Sequence, residues 1–153
     1  MIDMKLSYRI TKYKDKHDDD CYYSHAQEWS SFFDVGSKVS LQEYIAVEDS
    51  YIDFLIAACR YYQVTSLQIV GLEVYESTEY KDMSIVDIDS VPQVVRDILR
   101  EKIWAKLVAP YLEFHFGYDF YMYFLCEDNK EMFISTVDTP LTVDAYISPY
   151  LTN

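Results

Sequence analysis

The side chains best suited to chemistry gather near the N-terminus. His17, Cys21 and His25 stand at H-x3-C-x3-H spacing around the run Asp18-Asp19-Asp20, and imidazole, thiolate and carboxylate are all metal ligands. On a helix this spacing would put the three on one face, but the surrounding KHDDDCYYSHAQ reads as a loop. Structural zinc takes four ligands in paired spacings; no second pair completes the set, and neither a metal nor another cofactor is expected. His115 falls in an aromatic strand segment, where it reads as a sheet histidine. Cys59 falls on an apolar helix face, where a thiol behaves as a small inert hydrophobe, and Cys126 makes no better nucleophile. The three glycines are too far apart to form a phosphate cradle, and no G-x-S-x-G elbow occurs. No catalytic residue is assigned and no turnover is expected; the competing enzyme reading is a metal-assisted hydrolase using Asp18, Asp19 and Asp20 with His17 and His25.

The composition points to binding. The chain has 153 residues, 26 acids against 13 bases and a formal net charge of −13. Such a charge repels nucleic acid and anionic membranes and favours a basic partner. Two mildly basic segments, 1–17 and 91–108, together hold nine bases and four acids, leaving 22 acids against four bases elsewhere. The densest acidic stretch is 73–89, with Glu73, Glu76, Glu79, Asp82, Asp87 and Asp89 against Lys81. Tyrosine, at 16 residues, supplies stiff amphipathic contact area and is enriched at interfaces. Three widely spaced cysteines, Cys21, Cys59 and Cys126, suggest reduced thiols in a cytoplasm rather than a disulfide framework. MIDMKLSYRI lacks a signal-peptide core, and no apolar run approaches the roughly 18 residues of a membrane span.

The elements that must carry these residues follow from periodicity. Residues 5–13 alternate as a half-buried strand, and 28–36 read as a short strand or an anchored loop. Ser40 and Glu43 form a capping-box pattern that opens a helix to about Tyr62. Its apolar stripe is expected to hold Leu41, Tyr44, Ile45, Ile52, Leu55, Cys59 and Tyr62. Glu48 interrupts that stripe and needs a cationic partner such as Arg9. Residues 66–75 read as a central strand with a bulge at Gly71, and 76–89 as an acidic loop. A second helix is expected from Ser90, capped with Gln93 and ended by Pro110. Residues 111–125 read as a hairpin with Gly117 in a type II′ turn, the alternative being one long strand with a glycine bulge. A further strand covers 131–138, and the tail 139–153 packs over an edge. The order β-α-β-α-β-β-β predicts a single α+β domain, with an antiparallel-dominated sheet and two helices packed on one face.

The segments EWSSFFDVG, LQEYIAVEDSYIDFLIAACRYYQVTSLQIVGLE, LREKIWAKL and FHFGYDFYMYF resemble those of small bacterial proteins similar to the immunity proteins of contact-dependent and polymorphic toxin systems. The resemblance runs from about Tyr8 to Phe124. It implies a cytoplasmic antitoxin that binds and blocks one cognate toxin domain, often a nuclease, and carries over no functional residues. Because a nuclease groove is basic, an acidic surface could take the place of phosphates there. The expected contacts are Glu76, Glu79 and Asp82 of the acidic loop, and Asp119, Tyr121 and Tyr123 on the exposed side of the hairpin. An acidic regulatory or structural subunit is the remaining alternative.

Overall fold

The computed structural model describes residues 6–14, 28–127 and 132–151. Seven strands form one sheet: β1 (Leu6–Thr11), β2 (Ser66–Val74), β3 (Ile85–Asp87), β4 (Ile103–Val108), β5 (Leu112–Phe116), β6 (Tyr121–Cys126) and β7 (Thr142–Ala145). Their spatial order is β3-β2-β4-β5-β6-β1-β7, and every pairing is antiparallel. Three α-helices accompany them: α1 (Leu41–Tyr61), α2 (Val91–Leu99) and α3 (Met132–Thr136). The chain is α+β, as expected.

Strand alternation sorts the residues into two faces. Ile10, Ile69, Leu107, Phe114, Met122 and Phe124 point inward and are fully buried. Helices α1 and α2 cover this face, with Phe54 packing edge-on against Phe124 at 5.7 Å. The other face carries Arg9, Lys106, Glu113, His115 and Tyr123.

α1 starts where expected: the Ser40 hydroxyl accepts from the Glu43 N–H at 3.1 Å. Its buried stripe holds Tyr44, Glu48, Tyr51, Ile52, Phe54, Leu55, Ala58 and Cys59, whereas Leu41 and Ile45 are exposed. The stripe is thus rotated from the one the sequence suggested. Both long helices end in Schellman turns without glycine. Gln63 (φ 58°) and Glu101 (φ 61°) take the left-handed position. Val64 N–H then donates to Cys59 C=O, and Lys102 N–H to Asp97 C=O.

Several expectations are corrected. α2 stops at Leu99, not Pro110, and Ile103, Ala105 and Leu107 belong to the inward side of β4. The Ser90–Gln93 capping box does not form; Ser90 makes no side-chain cap bond, and Gln93 bonds Asp97 and Arg96 instead. β2 lies second from an edge, and β5 holds the centre. Its bulge does fall at Gly71 (φ 72°), where the β2–β4 register shifts between Val70 and Glu73. The acidic segment contains edge strand β3. Residues 28–36 make a short 3-10 helix, Phe32–Asp34, closed by a Ser31–Asp34 capping box.

Met132–Thr136, expected as part of a strand over 131–138, is helical: β6 already pairs with β5 on one side and β1 on the other, leaving no edge there to join. Phe133 instead plugs the core between Phe54 and Tyr62. The β5–β6 turn sits later than expected: Asp119 (φ 60°) and Phe120 (φ 66°) carry the positive φ values, and the Tyr121 N–H donates to Tyr118 C=O. The tail does reach an edge, as β7 beside β1.

Candidate partner-binding surface

The segment joining β2 to α2 folds back as a ribbon. Met83 N–H donates to Ile69 C=O at 2.7 Å, and Ile69 N–H donates to Ser84 C=O at 2.9 Å. The Asp82 carboxylate accepts from the Leu72 N–H at 3.0 Å, and the Tyr80 hydroxyl donates to Asp97 on α2 at 2.8 Å. The ribbon is therefore tied to the sheet and to α2.

Its outer surface is unusual. Val74 (51%) and Tyr75 (51%) are exposed at the C-terminal end of β2, and Met83 (56%) and Ile85 (63%) are exposed where the ribbon runs beside Ile69 and Gln68, nearer the start of β2. Along the same segment Glu73, Glu76, Glu79, Asp82, Asp87 and Asp89 are all exposed. None of these six carboxylates pairs with a lysine or arginine among the described residues. Exposed apolar side chains interspersed with acids that lack a cationic partner are complementary to a surface that carries apolar and basic groups.

The hairpin side is placed differently from expectation. Asp119 is exposed at the loop tip, its C=O accepting from the Tyr13 hydroxyl at 2.6 Å. Tyr121 is half-buried beside the Tyr13 ring at 5.8 Å. Tyr123 does not face solvent: the tail crosses over it, with Tyr146 and Tyr150 each 6.0 Å away. The same tail reaches Arg9 and Lys106 on this face. Arg9, 2% exposed, pairs with Asp144 at 2.9 Å and lies 4.0 Å under the Tyr146 ring. The Lys106 ammonium donates to Tyr150 C=O.

Under the tail lies a constellation that the sequence did not announce. Ser148 Oγ is 2.8 Å from His115 Nδ1, and His115 Nε2 is 2.9 Å from Glu113 Oε1. The residue types are those of a hydrolase triad, but their surroundings are those of a lock. His115 is 1% and Ser148 3% exposed. Ser148 Oγ also accepts from the Tyr150 N–H, and its own N–H donates to Ser7 Oγ. The network assigns the Ser148 hydroxyl as donor to Nδ1 and Nε2–H as donor to Glu113. No substrate reaches such a serine, and its bonds hold the tail to the sheet.

The other buried charge is also structural. Glu48 is fully buried and accepts from Arg96 Nε at 3.1 Å, Arg100 Nε at 2.9 Å and Arg100 Nη2 at 3.0 Å. Its partners are α2 arginines and not Arg9. Beside it the Tyr44 hydroxyl is buried without a hydrogen bond, and burial foremost, then Glu48, raises its pKa. Burial pushes the Cys59 thiol up to about 12, so it is no nucleophile.

His17, Asp18, Asp19, Asp20, Cys21 and His25 lie outside the described residues. Among the described residues no group of three or more His, Cys, Asp or Glu could hold a metal ion, and no helix is long and apolar enough to cross a membrane. No protein family, curated protein or solved structure matches the chain.

Proposed function

We propose that this chain is a cytoplasmic immunity protein. It binds one cognate toxin domain, a basic nuclease, and blocks it through the acidic ribbon. The observation that supports the reading is the run of six exposed carboxylates, none paired with a lysine or arginine among the described residues, interspersed with the exposed Val74, Tyr75, Met83 and Ile85. A basic groove evolved for phosphates offers the complementary charge, and the exposed apolar side chains supply short-range adhesion once steering has brought the partners together. The net charge of −13 keeps nucleic acid itself away. Of the hairpin residues, Asp119 borders this surface through the cavity wall it shares with Tyr75, whereas Tyr121 lies beside Tyr13 and Tyr123 beneath the tail, away from the ribbon. The test is rescue: cells expressing a cognate basic toxin domain should grow when the chain is co-expressed and die when it is not. Death in both cultures, with this chain folded and abundant, would overturn the reading.

A further inference from the structure

One end of the ribbon closes over a small cavity. Its walls come from three loops: Tyr75 after β2, Glu101 between α2 and β4, and Tyr118 and Asp119 between β5 and β6, with Trp104 at the back. Main-chain bonds from Tyr75 and Glu76 N–H to Lys102 C=O, at 2.9 and 3.0 Å, hold two of the loops together. The Tyr13 hydroxyl on Asp119 C=O and the Tyr51 hydroxyl on Phe120 C=O, both at 2.6 Å, hold the third.

We infer that this cavity is a receptor for a single primary ammonium, the head of one lysine side chain of the partner. Three independent features converge. The first is room: the cavity offers about 30 Å³, enough for one group the size of a water or an ammonium and too little for the planar fork of an arginine. The second is charge. Neither Glu101 nor Asp119 pairs with a cation among the described residues. Burial, and then Asp119, raises the Glu101 pKa, so an arriving cation relieves an existing penalty. The third is the wall: the rings of Tyr75, Tyr118 and Trp104 suit an ammonium electrostatically and its methylene stem by packing. Tyr75 belongs both to this wall and to the exposed ribbon patch, so a lysine projecting from a protein seated on the ribbon can reach the cavity. The inference rests on the reading of the ribbon as the partner surface.

The test needs no partner. The full chain, labelled with 15N, is titrated at low salt with n-butylammonium, and in parallel with 1-butanol and n-butylguanidinium. Butylammonium should shift the Gly117 amide and the Trp104 indole signals saturably, with a Kd on the order of 10 mM. Butanol and butylguanidinium should not saturate in that range. Glu101→Gln should weaken butylammonium binding by about tenfold while the rest of the spectrum stays in place. Equal shifts with butanol, tighter binding of the guanidinium, no saturation, or an unchanged Kd in Glu101→Gln would each overturn the receptor. Failure here with growth rescue intact would remove the lysine receptor and leave the partner surface. Failure of rescue with the titration intact would remove the partner reading alone.

Discussion

Removing Arg100 should cost more stability than neutralising Glu48, because the two ends of that ion pair see different amounts of water. Glu48 is fully buried, whereas Arg96 and Arg100 keep 30% and 21% of their side chains exposed. Arg100→Met withdraws two of the three donors to the carboxylate and leaves it buried with Arg96 alone. The expected loss is about 3–5 kcal/mol, the usual result of stranding one partner of a buried pair. Arg100 also lies 4.7 Å from the Phe32 ring, so some packing goes with it. Glu48→Gln keeps the volume and one or two accepted bonds, and the arginines can turn to solvent; about 1–2 kcal/mol should be lost. The double variant Glu48→Met, Arg100→Met replaces the pair by apolar bulk and should recover to within about 1–2 kcal/mol of the wild type. Urea unfolding reads all three: with m of about 1–3 kcal/mol/M, the Arg100→Met midpoint falls by roughly 1 M or more. A double variant no more stable than Arg100→Met, or a Glu48→Gln loss larger than that of Arg100→Met, would refute the argument that desolvation of the carboxylate dominates.

Four further outcomes follow from the geometry. Gln63→Gly should raise the melting temperature by a few degrees, since glycine occupies φ 58° without the roughly 1 kcal/mol that a side chain costs there; a lower melting temperature would show that the Schellman turn is not strained. Ser148→Ala should cost about 1–2 kcal/mol in urea unfolding by leaving His115 Nδ1 unsatisfied, and hydrolysis of generic ester substrates abolished by it would contradict the role as a lock. Glu101→Gln should stabilise the fold at neutral pH. Its carboxyl pKa is raised in the folded state, so the ionised form penalises folding above that pKa, and the gain should vanish below the ordinary carboxyl range when melting is followed from pH 7 to acid. In a Cys21→Ser background the native protein should react with a thiol reagent only on unfolding, because Cys59 and Cys126 are both fully buried; rapid labelling would place one of them at the surface.

The α+β class, the long helix and the final hairpin were legible because their periods are strong and local. Ile10 and its alternating neighbours, the Ser40 cap and the Tyr44-to-Cys59 run each identify an element without reference to the rest. The misplaced end of α2 traces to the scarcity of glycine. With Gln63 and Glu101 holding the C-terminal turns, no residue marked where α2 stops, and the short alternation Ile103-Ala105-Leu107 was absorbed into the helix. Edge strand β3 has only three residues and lies within a polar loop, so its pattern is too short to read. The helix at Met132–Thr136 is decided by occupied neighbours of β6, which no local pattern records. The site was half legible. Charge density located the ribbon acids, but Met83 and Ile85 became a surface only when the ribbon folded back, and Tyr123 was removed from the surface by a tail 20 or more residues later in the sequence. The Glu113–His115–Ser148 lock joins residues 33 apart and left no spacing signal.

The central claim is that the acidic ribbon meets a basic partner, and association kinetics test it most directly. Stopped-flow mixing with a cognate basic toxin domain should give an association rate that falls steeply from low to high salt. Reversing Glu76, Glu79 and Asp82 to lysine should slow it by about tenfold or more at low salt and remove most of that dependence. Unchanged amide signals of Ile69 and Met83 would confirm that the ribbon stays paired with β2 after the reversal removes the Asp82 bond to the Leu72 N–H; all three side chains are exposed. An association rate indifferent both to salt and to the three reversals would contradict the account and place the partner on another, apolar face.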